Sequence, residues 1–346
     1  MIRIGRLISD RLGHFTQNTD IYISQREEGL HPADCYDILY YRSRPCNEQL
    51  SLMWKRAFSK LPYAEIVEHP GDFFVNMRDG EEVQNVPMPW DIDKLTLRDK
   101  YPTRLIFTEE EEERGRREME RIGIEGEYVC FHSKDGEFLR ETNPYIDWSY
   151  HDYRHTDLNI TVNALDGFNA VRMGAVASKK ADKVIDYAHD YRSDFMDIYL
   201  AGHCRFYIGT PGGIGALVQV FRIPSAFVNS IPMQRIRGGK DDLFIPKKLK
   251  RNGRFLTFRE MADTPGGYLY TKEYRGMEII ENTVEEIRDL AEEMNGKLNG
   301  TWVSAEEDNE LQERYWSVFN PEHVCYNTPA RIGAKFLRGN KDLLGG

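Results

Sequence analysis

The sequence predicts an α/β fold with largely parallel sheets. Residues 198–229 have the pattern of a strand, a glycine-rich turn, a helix and a second strand, which together make one βαβ unit. Residues 36–67 alternate strand and helix patterns in the same way. The chain has 346 residues, enough for two domains of ordinary size. We therefore expect an α/β protein with two hydrophobic cores.

The glycine-rich stretch is the strongest functional signal. Its parts are a predicted strand at 205–208, a sharp turn at 209–213, a helix at 214–221 and a strand at 225–228. Without a Cβ at the turn, the N–H groups that begin the helix can approach an anion, and the helix dipole favours negative charge there. The pattern therefore indicates a phosphate or diphosphate site, although glycines also occur where a helix simply packs close to a sheet.

A nicotinamide dinucleotide fold is the main rival interpretation of this unit. That fold requires an acidic residue about 20 positions after the glycines, at the end of the next strand. Here the strand ends in Asn229 and Ser230, and the spacing Gly209, Gly212, Gly213, Gly215 is not G-x-G-x-x-G. The sequence thus argues against a dinucleotide.

Composition restricts the functional class. The net charge of −10, from 46 basic and 56 acidic residues, argues against a nucleic-acid partner but allows a local basic cleft. The five cysteines form no C-x-x-C pair, which fits a reducing cytoplasm better than a zinc site or a disulfide framework. No signal peptide and no apolar run of about 18 residues is evident, so we expect at most peripheral membrane contact.

The N-terminal part has a recognisable order of elements. A polar cluster at 10–20 is typical of a loop or helix start that lines a cleft. The apolar run 21–24 and residues 36–41 are predicted strands, followed by a helix from 47 through 58, a strand at 64–67, and a helix at 109–122 capped by Thr108. Asp91 and Asp93 form a D-x-D, but the apolar strand expected before a metal-binding D-x-D is missing, so we predict no metal site.

The C-terminal part begins with a predicted strand at 127–135. It carries His132, Lys134 and Asp135 to its carboxyl end, where open α/β sheets bind ligands. A helix at 158–168 and a strand at 169–174 follow. Arg172 in that strand, beside Gly174, is either salt-bridged or directed at an anion.

The remaining segments are expected to be mainly structural. A short strand at 184–186 and a helix at 194–201 capped by Ser193 precede the glycine-rich unit. Most basic side chains of 233–251 should be solvated. Thr283 and Glu286 form a predicted capping box for a helix ending near 294, and the tail holds helical patterns at 309–318 and 333–344.

Several short motifs, taken in order, resemble a bacterial glycosyltransferase family of surface-polysaccharide gene clusters, related to fucosyltransferase-like GT-B enzymes. The resemblance covers most of the chain. The motifs are Arg11-Leu-Gly-His14 with Asn18, His132-Ser-Lys-Asp135, Tyr153-Arg-His-Thr-Asp157, Val171-Arg-Met-Gly174, Asp197-Ile-Tyr-Leu200, the turn 209–215, and Arg331-Ile-Gly-Ala-Lys-Phe-Leu337.

The resemblance implies a GT-B-like architecture, in which two Rossmann-like domains face each other across a cleft. It implies an acceptor-side domain at 1–125, a nucleotide-sugar donor domain at 126–330 and a C-terminal helix at 331–346. Lys134 stands where the family has arginine in an H-x-R motif, so a point charge replaces a bidentate fork. The expected donor-binding residues are Lys134, Arg154, Arg172, Gly174, Thr210, Gly212, Gly213 and Gly215.

Three functional classes follow from these observations. The first is a cytoplasmic glycosyltransferase that moves a sugar from a nucleotide sugar to a glycan or lipid-linked acceptor, with no cofactor and no metal. Its acceptor hydroxyl requires a base, for which His14, Asp20, His132 and Asp135 are candidates and His14 is favoured. The second is an oxidoreductase on a Rossmann-like scaffold, and the third is a non-catalytic nucleotide- or sugar-binding module.

Overall fold

The protein is represented by a computed structural model that describes residues 1–68, 84–89, 93, 95–142, 144–177, 179–233, 236, 238–264, 274–321 and 328–345. Asp91 of the D-x-D and Cys325 lie outside these described residues. The chain divides into two compact units, here called unit 1 and unit 2. Unit 1 contains residues 1–118, 193–203 and 216–222, and unit 2 contains residues 119–192, 204–215 and 223–346.

The elements up to residue 122 alternate strand and helix. In order they are β1 (Ile2–Leu7), α1 (Leu12–Glu27), β2 (Tyr36–Tyr41), α2 (Glu48–Phe58), β3 (Ala64–Val67), β4 (Gln84–Asn85), α3 (Leu97–Lys100) and α4 (Glu109–Ile122).

The later elements continue this alternation and add a small antiparallel sheet. In order they are β5 (Val129–His132), α5 (Glu137–Thr142), a 3₁₀ helix (Ser149–Arg154), α6 (Leu158–Ala164), β6 (Ala170–Arg172), α7 (Tyr187–Asp190), α8 (Asp194–His203), β7 (Phe206–Gly209), α9 (Gly213–Val220), β8 (Ser225–Ser230), β9 (Leu243–Pro246), β10 (Lys248–Arg251), β11 (Arg254–Phe255), α10 (Phe258–Asp263), β12 (Met277–Ile280), α11 (Val284–Leu298), α12 (Glu306–Ser317), β13 (Arg331–Ile332), α13 (Ala334–Gly339) and a 3₁₀ helix (Lys341–Leu344).

Unit 1 is built on a parallel sheet with the strand order β3-β2-β1-β4. From β1 the chain adds β2 and β3 on one side, and β4 then pairs with the other side of β1. The order of strands therefore reverses between β1 and β4. In open α/β sheets such a reversal leaves a crevice at the carboxyl ends of the strands, which is where ligands bind.

Unit 2 is built on a parallel sheet with the order β13-β9-β8-β7-β5-β6. From β5 the chain adds β6 on one side and then β7, β8 and β9 on the other. The reversal therefore lies between β5 and β7. Strands β10, β11 and β12 form the separate antiparallel sheet.

The structure confirms the predicted α/β class and most predicted elements. All four residues of β7 and all six of β8 are buried, as expected for strands covered on both faces. The cap that Thr108 provides and the Thr283–Glu286 capping box are both present. These local predictions succeeded because hydroxyl caps and continuous apolar runs act over a few neighbouring residues.

Three predicted elements were wrong. The run 21–24 belongs to the helix α1, in which residues 18–24 are all buried, and a short apolar run cannot distinguish a buried helix from a strand. Residues 184–186 form only one bridge, between Val171 and Ile185. Helix α11 continues past Asn295 to Leu298, because the glycine that follows Asn295 is tolerated inside a helix.

Candidate active site

The candidate active site lies in unit 2, where the strand order reverses between β5 and β7. The two strands are in parallel register, with His132 opposite Gly209. The pairing extends one residue further, because the Thr210 N–H donates to the His132 carbonyl at 3.1 Å. The imidazole that ends β5 and the turn that follows β7 are therefore held side by side at the carboxyl edge of the sheet.

Two glycines make this close approach possible. A Cβ on Gly209 would lie 2.3 Å from the His132 carbonyl oxygen, so any side chain there would separate the strands. A Cβ on Gly215 would lie 2.8 Å from Cε1 of Phe227 in β8, so α9 packs closely on the sheet. Close helix packing, which the sequence analysis kept as the alternative, therefore accounts for Gly215 but not for every glycine of the turn.

Gly212 has no such structural requirement. A Cβ on it would have the Thr210 carbonyl oxygen as its nearest neighbour, at 3.9 Å, which leaves room for a side chain. Gly212 and Gly213 instead form the entry to α9, whose first residue is Gly213. Backbone without side chains at a helix start exposes N–H groups, which suits the approach of an anion.

Thr210 has an unsatisfied hydroxyl. The residue is 2% exposed, and its Oγ1 has no hydrogen-bond partner among the described residues. Its carbonyl accepts from the Tyr207 hydroxyl at 3.0 Å, so the backbone is fixed while the side chain is not. Because buried polar groups are nearly always paired, this hydroxyl beside the helix start is available to hydrogen-bond a group that approaches the turn.

His132 is a neutral imidazole of defined tautomer. Its Nδ1 lies 2.9 Å from the Met173 carbonyl, which can only accept, so Nδ1 carries the hydrogen. Burial lowers the pKa of His132, opposed in part by this hydrogen bond. The neutral ring therefore keeps an Nε2 lone pair that can accept a proton or a hydrogen bond.

A segment that we call the bridging segment, Arg154–Asp157, crosses the carboxyl edge of the same sheet. Arg154 donates from Nη2 to the Pro211 carbonyl of the glycine-rich turn at 2.9 Å. The Thr156 N–H donates to the Lys134 carbonyl at 2.9 Å. The segment thus places the Arg154 guanidinium beside the turn and lies against the residues that follow β5.

Lys247, directly after β9, holds the other side of the bridging segment. It is 3% exposed, and its Nζ donates to the His155 carbonyl at 2.6 Å, with a Glu281 carboxylate oxygen 3.9 Å away. Burial lowers the pKa of this lysine. The expectation that basic side chains of 233–251 are mostly solvated is wrong for Lys247. The available signal was its position at the end of a buried strand.

Arg172 forms a buried salt bridge, which is one of the two alternatives that the sequence left open for it. It is 5% exposed, and its Nη1 donates to Asp186 Oδ2 at 3.0 Å and to the Lys179 carbonyl at 2.5 Å. Asp186 also accepts from the Ala181 N–H at 2.6 Å. This network ties β6 to the segment before α7, and an anion would have to compete with Asp186 for the guanidinium.

Five further residues were predicted to belong to the site, and three of them lie in unit 2 and two in unit 1. Asp135 accepts from the Glu137 N–H at 3.2 Å and so begins α5. A Cβ on Gly174 would lie 3.6 Å from His132 Nδ1, which places Gly174 beside that ring. Lys134 is partly exposed just beyond β5. His14 and Asp20 both lie in α1 of unit 1, His14 in its first turn and Asp20 buried and paired with Arg222 at 3.0 Å. The remaining predicted site residues belong to unit 2.

The described part of the chain was compared with the side-chain arrangements that hold metal ions and with helices that cross membranes. No group of three or more His, Cys, Asp or Glu residues is arranged there to hold a metal ion. Asp93 accepts from the N–H groups of Leu97 and Arg98 and so forms a local turn. No helix there has the length and apolar character that crossing a membrane requires.

Fold and site together define an α/β protein with two Rossmann-like units, one of which carries a glycine-rich turn and helix start beside a neutral histidine. No protein-family model matches the chain, and no curated protein matches it.

Solved structures with some similarity include three glycosyltransferase chains. The dodecameric iron-containing glycosyltransferase TibC from enterotoxigenic E. coli H10407 is 15% identical, with 67% of this chain and 59% of that chain covered and a TM-score of 0.36. The heptosyltransferase TibC in complex with ADP-D-beta-D-heptose is 12% identical, with 87% and 79% covered and a TM-score of 0.43. E. coli ADP-heptose LPS heptosyltransferase II is 10% identical, with 80% and 98% covered and a TM-score of 0.39. Matches this distant carry no weight in assigning function here.

Proposed function

We propose that the chain is a glycosyltransferase that moves a hexosyl or deoxyhexosyl group from a nucleotide sugar to a glycan or lipid-linked acceptor. In this proposal the donor diphosphate binds at the start of α9, and neither a metal ion nor another cofactor takes part. The observation that carries the proposal is the buried, unpartnered Thr210 hydroxyl beside the glycine-rich helix start. A diphosphate oxygen would satisfy both the hydroxyl and the exposed N–H groups.

The proposed reaction breaks the bond between the anomeric carbon and the donor phosphate oxygen and forms a bond to the acceptor hydroxyl oxygen. Negative charge then develops on the leaving diphosphate. In the proposal, the N–H groups of the first turn of α9 stabilise that charge together with Lys134 and Arg154. The contact of the Arg154 guanidinium with the Pro211 carbonyl of the turn supports this role. Fixed donors of this kind need no reorganisation during the reaction, which makes them effective.

The acceptor proton requires a receiving group. His14, Asp20, His132 and Asp135 are the candidates from the sequence. The Asp20 carboxylate is buried and paired with Arg222 at 3.0 Å, so the proposal compares the other three. The lowered pKa of His132 and its Nδ1–H tautomer support His132, because its Nε2 is free of a proton at neutral pH. Asp135 already accepts the Glu137 N–H. The proposal therefore places His132 first among the three, whereas the sequence favoured His14.

The proposal also includes a cytoplasmic location with at most peripheral membrane contact. The five cysteines form no C-x-x-C pair, a pattern that supports a reducing compartment. Glycan and lipid-linked acceptors are both compatible with such a location.

The test is calorimetric titration with UDP, GDP, ADP and CDP of the wild type, Thr210→Val and Gly212→Val, with Thr301→Val as a control in an exposed loop. Wild type should bind at least one nucleotide. We expect Thr210→Val to bind it about tenfold more weakly or worse, because a hydrogen bond to a charged group contributes roughly 1.5–3 kcal/mol. The same variant should unfold no more easily, because it removes an unsatisfied buried hydroxyl.

Gly212→Val should likewise weaken nucleotide binding without lowering the stability of the fold. Its Cβ has room in the fold but would stand where the anion approaches. Normal nucleotide binding by both variants would contradict the proposed site. Protection of the wild type by NAD(H), with none by nucleoside diphosphates, would favour the oxidoreductase. If the protein binds nucleotide sugars but hydrolyses none of them, with or without an acceptor, it would be a non-catalytic binding module.

A further inference from the structure

Unit 1 contains a cavity at the point where the strand order of its parallel sheet reverses, just as the candidate active site lies at such a point in unit 2. The cavity measures about 330 Å³ and is lined by residues of β1, β2, α1 and the segment that follows β4. It lies at the carboxyl end of β1, beside β4, where the strand order of this sheet reverses. A ligand site is expected at such a point from the topology alone.

Packing around Gly5 shapes this cavity. A Cβ on Gly5 would lie 2.5 Å from Leu39 Cδ2 and 2.9 Å from Val86 Cβ, so neighbouring side chains meet across the bare backbone of β1. The Val86 N–H donates to the Ile4 carbonyl at 2.8 Å and extends the pairing of β4 with β1. The β2 side of the cavity, through Leu39, and the β4 side, through Val86, therefore both pack against β1.

The lining combines an apolar surface with a few polar groups. Ile4, Leu7, Val86 and Met88 supply the apolar part. Asn85 and Tyr40 supply an amide and a phenol, and the described lining residues include no Asp or Glu. Such a lining suits the apolar face and hydroxyl groups of a sugar ring, and the volume is at the small end of ligand pockets, which hold roughly 300–1,000 Å³.

Arg6 is the cation of this lining. Its side chain is exposed, and among the described residues its guanidinium has no hydrogen-bond or salt-bridge partner. Three other arginines of unit 1 are committed: Arg3 is paired with Asp37, Arg56 with Glu111 and Arg104 with Glu27. An uncommitted planar guanidinium favours a carboxylate or phosphate, which it can hold by two parallel hydrogen bonds.

We propose that this cavity binds an anionic sugar, with Arg6 holding its carboxylate or phosphate. Its assignment as the acceptor site rests on the proposed glycosyltransferase function, whereas anionic-sugar binding does not. The acceptor class would then be a glycan ending in a uronic acid or a sugar linked through phosphate. The shared chemistry is one negative charge on or next to a pyranose ring.

The experiment compares three probes of similar size by ligand-observed NMR: D-glucose, D-glucuronate and D-glucose 1-phosphate. The proteins are the wild type, Arg6→Gln, Arg6→Lys and Asn85→Leu, with Arg44→Gln as the control. Arg44 is an exposed arginine paired with Glu48 outside the cavity. Thermal unfolding of each variant verifies that it is folded before binding is compared.

We expect at least one anionic probe to bind the wild type about tenfold or more tightly than glucose, from a charge-assisted contact of roughly 1.5–3 kcal/mol. Arg6→Gln should abolish this preference, Arg6→Lys should keep part of it, and Arg44→Gln should keep all of it. Asn85→Leu should weaken all three probes. A preference for glucuronate or for the phosphate identifies which anion the site accepts.

The proposal is overturned if no anionic probe binds more tightly than glucose, or if Arg6→Gln binds like the wild type. Nucleoside diphosphate binding is measured on the same samples. Displacement of the probe by a nucleoside diphosphate would remove the acceptor assignment, since the cavity would then take the donor. If the probe binds but no nucleotide does, the glycosyltransferase function fails while the anionic-sugar site stands.

Discussion

The reversal points of the two parallel sheets use glycine for different purposes. In unit 1, Gly5 lets side chains meet over β1, since its Cβ would collide with Leu39 and Val86. In unit 2, Gly209 lets backbone meet backbone, since its Cβ would collide with the His132 carbonyl. The first arrangement borders a cavity of about 330 Å³, where the Arg6 guanidinium has no side-chain partner among the described residues. The second presents a helix start and an unsatisfied hydroxyl.

This difference shows how one topology can offer two kinds of recognition. A cavity lined by side chains selects a ligand by shape and by a few polar contacts. A helix start selects an anion by N–H groups and the dipole, with little dependence on the rest of the ligand. The two proposed sites therefore suit different ligands, and substitutions can separate the residues that maintain each site from the residues that bind at it.

The largest expected effect is on the buried ion pair of unit 2. Arg172→Leu should lower the free energy of unfolding by about 3–5 kcal/mol, because it leaves the Asp186 carboxylate buried without its partner. Arg3→Leu is the matched variant in unit 1, where Arg3 is 4% exposed and pairs with the fully buried Asp37. Both are measured by urea unfolding.

The same two variants decide whether Arg172 binds the donor. A structural Arg172 predicts that Arg172→Leu loses at least as much stability as Arg3→Leu, because Asp37 keeps Tyr22 and Arg26 as partners when Arg3 is removed. An anion-binding Arg172 predicts instead that Arg172→Leu remains nearly as stable as the wild type and loses nucleotide affinity. That second result would contradict the role given to the Arg172–Asp186 pair.

Much of unit 2 could be predicted from the sequence because its signals are local. The β7, α9 and β8 elements follow from an apolar run, a glycine cluster and a second apolar run. The Thr283–Glu286 capping box depends on two residues three positions apart. For such features the sequence contains both partners within one helical turn or strand.

Other features could not be predicted because they depend on distant contacts. Strand β4 has two residues, and only its pairing with β1 reveals it. The burial of Lys247 follows from the bridging segment, 92 residues earlier in the chain. The cavity beside Arg6 requires the order of strands in the sheet, which no local pattern contains. His14 was favoured as a base because it was expected in a loop that faces the cleft, whereas it lies in the first turn of α1.

The next effect concerns the packing of α9. Gly215→Ala should lower the free energy of unfolding by about 1–3 kcal/mol, because the new methyl group would overlap the Phe227 ring, a group fixed in β8. Gly174→Ala is the control, since its nearest neighbours would lie 3.6 Å away, at an ordinary contact distance. Equal stability of the two variants in urea would contradict the close packing of α9 on β8.

The smallest expected effect is a pH dependence from His132. Its folded-state pKa is lowered by burial, so the unfolded chain takes up the proton first as the pH falls. Above the unfolded pKa of about 6.5 both states are neutral and His132 has no effect on stability. Below it, stability is lost as the pH falls toward the folded-state pKa. His132→Gln should remove this part of the acid-side loss, measured by urea unfolding between about pH 7 and about pH 5.

His155, whose pKa burial also lowers, should contribute a separate part of the loss that His132→Gln leaves in place. An unchanged slope in His132→Gln would mean that His132 is protonated in the folded state at acidic pH as readily as in the unfolded chain. Its Nε2 would then lose the neutral lone pair on which its role as acceptor of the proton depends.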